Sequence, residues 1–134
     1  MIRTFVDSSV LIAAARARTA RSLVALSVLN ERDREFASSV FVRLETLPKA
    51  IYYQQQAEAE FYESFFEDAN LWATDLEQIV QTGNRIARNY GLAAMDALHI
   101  AAALSVEAEE LITTEKSTKP MHRATEIQIV SIFD

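Results

Sequence analysis

The sequence predicts an α/β fold, a three-layer sandwich with a central, mostly parallel sheet flanked by helices. Three observations predict it. Short apolar runs of strand length alternate with longer stretches of helical periodicity. Only two glycines and two prolines punctuate 134 residues, so loops are short and helices dominate. Helices interposed between strands imply a parallel sheet covered on both faces. No repeat, low-complexity segment or linker divides the chain, so residues 1–134 are expected to form one domain.

Residues 2–6 read as the first strand, and the helical pattern begins almost at once in Val10-Leu11-Ile12-Ala13-Ala14-Ala15. Residues 19–30 form a second amphipathic helix with Leu23, Leu26, Val28 and Leu29 as its apolar positions. Residues 35–38 are a short strand, and Ser39 is placed to cap the helix that starts near Val40. Phe41, Leu44 and Leu47 recur there at helical spacing, and Pro48 is expected to kink or end the helix. A further helix runs over residues 58–68, with Phe61, Phe65 and Phe66 as its buried stripe.

Residues 71–74 are a candidate strand. From Asp75 the positions Leu76, Ile79, Val80, Ile86, Ala87 and Tyr90 follow a 3.6-residue period, and Gly91 falls where a left-handed C-terminal residue is wanted. The alanine-rich stretch from Ala94 to about Ser105 is a helix expected to pack tightly under the sheet. Residues 110–113 and 126–133 supply the remaining strands, the last with the less regular alternation of an end strand.

Half the residues are hydrophobic, including seven Phe, four Tyr and one Trp, which is sufficient for a core without covalent staples. The absence of cysteine excludes disulfides, thiolate zinc sites and cysteine nucleophiles, and is compatible with a reducing cytoplasm. Asp7 interrupts the only apolar run near the N-terminus, so no signal peptide is evident, and the apolar stretches are far shorter than a membrane span. A soluble cytoplasmic domain is expected.

The net charge of −6 argues against indiscriminate nucleic-acid binding. Charge is unevenly spread: residues 1–34 hold six arginines against three acids, whereas residues 53–80 hold seven acids and no Lys or Arg. That acidic run is either a solvated face or a docking face for a basic partner. Tyr52, Tyr53, Phe61 and Phe65 would serve an interface as readily as a core.

Asp7 carries the most information. It ends the first strand as a helix begins, which puts a carboxylate at the carboxyl edge of the sheet, where open α/β sheets bind ligands. Glu115 follows the strand at 110–113 and should share that edge. Asp96 lies in the first turn of the alanine-rich helix, where the helix dipole alone favours an acid. Glu45 sits between Leu44 and Leu47 at an apolar level of its helix, or else is a solvated position beside Arg43. Oxygen-only carboxylate clusters suit hard cations such as Mg²⁺ or Mn²⁺. Such ions activate water and neutralise phosphate oxygens. His99, three residues after Asp96, is either a general base or a packed, hydrogen-bonded histidine, and His122 falls in a polar loop. Arg16, Arg18 and Arg21 are either RNA-phosphate contacts or ordinary exposed arginines.

The segments Phe5-Val6-Asp7-Ser8-Ser9-Val10-Leu11-Ile12, Leu44-Glu45, Gly91-Leu92, Asp96-Ala97-Leu98-His99-Ile100-Ala101-Ala102-Ala103 and Leu111-Ile112-Thr113-Thr114-Glu115 resemble the PIN-domain family. That family includes the VapC-like toxin ribonucleases and the PilT N-terminus-like domains. The resemblance covers nearly the whole chain, and the helix from Asp96 is its most specific part. It implies a metal-dependent endoribonuclease that hydrolyses RNA phosphodiester bonds, as the toxin of a toxin–antitoxin pair. It further implies catalytic and metal-site roles for Asp7, Glu45, Asp96 and Glu115, support from Ser9 and Thr113, an antitoxin partner and a homodimer. The chain departs from the family at its last acid, usually Asp but here Glu115, and in the Lys116-Ser117-Thr118-Lys119-Pro120 run where an aromatic commonly follows.

Two other classes compete. A receiver or phosphatase-like domain also places Asp after its first strand, but the middle of this chain has no strand-terminal Asp, and Ser9 breaks the Asp-x-Asp of dehalogenase-type phosphatases. A PIN-fold binding module with a lapsed site, acting through protein or RNA contacts, is the alternative to the nuclease.

Overall fold

The computed structural model describes residues 1–16 and 19–133. Its elements alternate as expected: β1 (Ile2–Val6), α1 (Ser8–Arg16), α2 (Ala20–Leu29), β2 (Arg34–Ser39), α3 (Val40–Tyr52) and α4 (Gln56–Asp68). These are followed by β3 (Leu71–Ala73), α5 (Leu76–Tyr90), α6 (Ala94–Ser105), β4 (Glu110–Thr113), a 3₁₀ turn (Pro120–Arg123) and β5 (Gln128–Ser131).

The five strands form one sheet in the order β3-β2-β1-β4-β5, with every neighbouring pair parallel. The chain moves outward from β1 through β2 to β3, then crosses back to lay β4 on the other side of β1. Phe5 pairs with Ala37 of β2 and with Leu111 of β4. The order therefore reverses between β1 and β4, and a crevice opens at the carboxyl ends of strands that diverge in this way.

Local chemistry sets the helix ends. Thr19 accepts from the Ser22 amide while Ser22 returns a bond to the Thr19 amide, closing a capping box. Ser39 accepts from the amides of Phe41 (3.2 Å) and Val42 (3.4 Å), as its position predicts. Gly91 ends α5 at φ 67°, a left-handed conformation that costs glycine nothing.

Phe5, Val6, Leu11, Ile79, Ile86, Ile100, Leu111 and Ile112 form the heart of the core. Ala97, Ala101, Ala102 and Ala103 are all buried, so α6 lies close against the sheet as its composition suggests.

Several expected packing positions are corrected. Leu23, Leu44, Leu76 and Val80 are exposed, whereas Val28, Leu47, Ile79 and Ile86 are buried as expected, joined by Ser22 and Ala25 on α2, Val42, Thr46 and Ala50 on α3, and Gly83 on α5. Gly83 sits where α5 approaches α6 closely. A Cβ built on Gly83 would stand 3.1 Å from Leu98 of α6. Of the α4 aromatics Phe66 is buried and Phe61 and Phe65 are half-buried, but the fully enclosed side chain is Tyr62. Pro48 does not end its helix, since α3 continues to Tyr52. The carbonyl that a residue 48 amide would have met belongs to exposed Leu44, on a side where water takes it. The strands expected at 71–74 and 126–133 are shorter, at Leu71–Ala73 and Gln128–Ser131. Among the described residues, no helix is long and apolar enough to cross a membrane.

Candidate functional site

Asp7, Glu45, Asp96 and Glu115 line one cleft of about 210 Å³, together with Ser8, Ser9, Met95 and His99. It lies at the switch between β1 and β4. Asp7 arrives there because β1 ends one residue earlier, and Glu115 because β4 ends two residues earlier. Asp96 stands in the first turn of α6, and Glu45 reaches across from α3. A hollow of similar size, about 200 Å³, lies between α2 and α4 beside Phe36, Phe61 and Phe65, but a single carboxylate, Asp68, borders it. Convergence of acids, not volume, singles out the first cleft.

Asp7 is buried. Its Oδ1 accepts from the Ser9 amide at 3.1 Å and from the Ser9 hydroxyl. Burial raises the Asp7 pKa above the ordinary aspartate value, and bonds from Ser9 and Thr113 counter only part of that rise. Asp96 is also raised, first by burial and then by the charges of Asp7, Glu115 and Glu45. A lone acid at a helix N-terminus would be favoured in its charged form. At Asp96 burial and then the neighbouring acids set the direction instead.

Glu45 differs. Its Oε1 accepts from the Ser8 hydroxyl at 2.6 Å and lies 2.5 Å from His99 Nε2. The His99 bond, reinforced by Ser8 against the opposing effect of burial, holds Glu45 below the usual glutamate range. Nothing in the sequence signalled that Ser8 would serve Glu45; Ser8 stood out only as the neighbour of Asp7. His99 is packed and hydrogen-bonded, as the second of its two sequence readings has it, and its ring lies 6.2 Å from that of Phe5.

Glu115 is exposed, and its amide donates to Thr113 Oγ1 at 3.1 Å. Thr113 is buried, and the Thr114 amide donates to Ser9 Oγ at 3.1 Å, so Ser9 and Thr113 both brace the edge that carries Asp7 and Glu115. His122 Nε2 lies 3.0 Å from the Glu115 carbonyl oxygen. Among the described residues no three acid or histidine groups stand close enough, as placed, to hold a metal ion between them. The donors on offer are carboxylate oxygens, which suit hard divalent cations.

Two of the three arginines after Asp7 have partners. Arg16 Nε donates to Glu58 at 2.8 Å, and Arg21 stacks over the Phe133 ring at 4.9 Å. Arg18 lies outside the described residues. Glu58, from the acidic run, is thus tied down rather than solvated.

The chain matches the PIN-domain family over residues 4–121. Its fold is shared by VapBC2 from Rickettsia felis, solved bound to a DNA fragment from their promoter, at 12% identity and a TM-score of 0.73, covering 97% of this chain and 98% of that one. It is shared also by VapBC-1 from nontypeable Haemophilus influenzae, at 20% identity and a TM-score of 0.71, covering 99% and 100%. No curated protein matches the chain. At such identities the two structures speak for the fold alone. The sequence match spans most of the chain, from β1 to the 3₁₀ turn, and on that ground the protein belongs to the PIN-domain family.

Proposed function

We propose that this protein is a divalent-metal-dependent endoribonuclease that hydrolyses RNA phosphodiester bonds, acting as the toxin of a toxin–antitoxin pair. The observation that carries the proposal is the gathering of Asp7, Glu45, Asp96 and Glu115 in one cleft at the sheet's switch point. Their mutual repulsion fits a hard cation: Asp96 is raised by burial and then by three neighbouring carboxylates, and a shared positive charge relieves that repulsion.

Asp7, Glu45, Asp96 and Glu115 would hold Mg²⁺ or Mn²⁺. When bound, such an ion neutralises phosphate oxygens and lowers the pKa of coordinated water. The chain's own residues prepare this. Ser9 and Thr113 hold the Asp7 carboxylate in place, and Ser8 and His99 both engage Oε1 of Glu45. Asp96 accepts no hydrogen bond from a described residue, so its carboxylate is free to turn inward. Thr113 fixes the backbone from which Glu115 projects.

Membership of the PIN family and the VapBC identity of both structural neighbours support an antitoxin partner. The acidic stretch at residues 53–80 favours a basic one. Exposed Leu44, Ile51, Tyr52 and Tyr53 on and beside α3 supply apolar surface for a homodimer. A cytoplasmic location belongs to the same proposal, and the absence of cysteine is compatible with it.

The spacing of the acids, too wide for three to share an ion as placed, favours the alternative of a lapsed site that acts by binding. One experiment separates them: RNA cleavage with added Mn²⁺ by wild type, Asp7→Asn and Asp96→Asn, alongside Mn²⁺ titration calorimetry. Cleavage by wild type that falls roughly 100-fold or more in both variants supports the nuclease. Cleavage surviving both substitutions removes these acids from the chemistry, and an absence of Mn²⁺ binding in the millimolar range selects the lapsed module.

A further inference from the structure

Glu45 and His99 come from helices 54 residues apart and meet over the carboxyl edge of the sheet. The contact dictates where a hydrogen lies. A carboxylate oxygen is an acceptor, and at 2.5 Å an unprotonated Nε2 would set two lone pairs against each other, so Nε2 carries the hydrogen and donates it to Oε1. The other ring nitrogen, Nδ1, is buried with no partner among the described residues. A hydrogen there would be an enclosed, unanswered donor. The ring is thus fixed as the Nε2–H tautomer, with its one donor committed and its one lone pair sealed from the cleft.

That arrangement disqualifies His99 as a base that takes a proton from water in the cleft. It fits a different task. We propose that His99 is a positioning residue: its Nε2–H, together with the Ser8 hydroxyl, pins one carboxylate oxygen of Glu45 and leaves the other to face the cleft. Two donors from α6 and α1 converge on the same atom, Oε1. Glu45 is otherwise a partly exposed glutamate with a flexible stem, about a third of its side chain open to solvent. Without the two donors its carboxylate would sample many rotamers, and a cation would have to order it. Partners that orient a ligating carboxylate govern affinity nearly as much as the ligand itself.

The consequence for cation binding rests on the metal-nuclease function proposed above; the contact itself does not, and the test keeps them apart. In the metal-free protein, ¹⁵N-resolved imidazole spectra should show His99 as the Nε2–H tautomer with a slowly exchanging proton. That protection should vanish in Glu45→Ala. An Nδ1–H tautomer, or a spectrum indifferent to Glu45→Ala, overturns the proposal. Calorimetry with Mn²⁺ alone then compares His99→Gln, whose side-chain amide places a donor near the former Nε2, with His99→Leu, which places none. His99→Gln should bind within about twofold of wild type, and His99→Leu about 10–100-fold more weakly. Ser8→Ala, which spares the core, should weaken binding in the same direction and covers the case of a misfolded His99→Leu. Intact Mn²⁺ affinity in His99→Gln with cleavage abolished would assign proton transfer to His99 and refute the positioning role. Failure of wild type to bind Mn²⁺ counts against the metal site, while the imidazole spectra still decide the contact.

Discussion

The hydroxyl of Ser9 accepts the amide hydrogen of Thr114 at 3.1 Å while giving its own hydrogen to Asp7. One oxygen atom thereby couples the start of α1 to the turn that follows β4. Ser9→Ala removes both bonds and leaves the Asp7 carboxylate to the residue 9 amide and Thr113. The expected result is a loss of about 1.5–3 kcal/mol in stability, since one of the bonds is to a charged group. RNA cleavage with Mn²⁺ should fall about tenfold through looser placement of Asp7. Urea unfolding and a cleavage assay on the same sample check both halves.

Asp7 and Asp96 are strained by their own charge. Both have pKa values raised in the folded protein, by burial in each case and at Asp96 also by Asp7, Glu115 and Glu45. Between the unfolded and the raised folded pKa the native state holds more protons, so metal-free stability falls as pH rises through that window. Asp7→Asn removes the Asp7 share of this slope, relieves part of the Asp96 share, and keeps an Oδ1 for Ser9. It should therefore stabilise the metal-free protein by about 1 kcal/mol at neutral pH while eliminating Mn²⁺ binding. Thermal melts at pH 4 and pH 7, with wild type and variant, decide it. A variant less stable than wild type at both pH values contradicts the argument.

Glu115 is exposed, as Glu45 is, but Ser8 and His99 hold Glu45 while Glu115 projects from the turn after β4. Its removal should therefore cost least. Glu115→Gln is expected to keep cleavage within about tenfold of wild type, against roughly 100-fold or more for Asp7→Asn. Glu115→Asp restores the length usual in the family and should bind Mn²⁺ no more weakly than wild type. Equal losses at positions 7 and 115 would show Glu115 to be as tightly engaged as Asp7.

A second tie lies away from the cleft. Glu58 Oε1 receives Arg16 Nε at 2.8 Å and the hydroxyl of buried Tyr62 at 2.6 Å, fastening the end of α1 to α4. Burial raises the Glu58 pKa, but the Tyr62 and Arg16 bonds prevail and set it below the usual glutamate value. The stabilisation is present above the unfolded glutamate pKa and is lost as pH falls through the lowered folded one. Tyr62→Phe should cost about 1 kcal/mol at pH 7 and proportionately less near pH 3. Denaturation midpoints across that range provide the check.

What the sequence disclosed, and what it withheld, divides along range. Features set within a few residues were legible: the Ser39 cap, the left-handed Gly91, and the strand-end placement of Asp7 and Glu115. The limits of the buried helix faces were not, because exposed Leu23, Leu44 and Val80 are as apolar as Val28, Leu47 and Ile79, which do face inward. Ser22, Thr46 and Gly83 share those inner faces, and at Gly83 the missing side chain permits close contact with Leu98, which is a property of a pair of helices. The bond from His99 to Glu45 spans 54 residues and joins two elements through tertiary packing, so no local pattern foretold it. Pro48, expected to kink or end α3, does not end it for a related reason, since its penalty depends on whether the orphaned carbonyl meets solvent.

The strand order has a temporal side. β1 is made first, yet its neighbour β4 is among the last strands to be synthesised, and the cleft lies between them. Thr114 meets Ser9 from 105 positions along the chain. Asp7 and Glu45 are made before Asp96 and Glu115, and the pairing of β1 with β4 closes a long loop. Any chemistry that needs all four acids therefore waits until α6 and β4 have been made and docked.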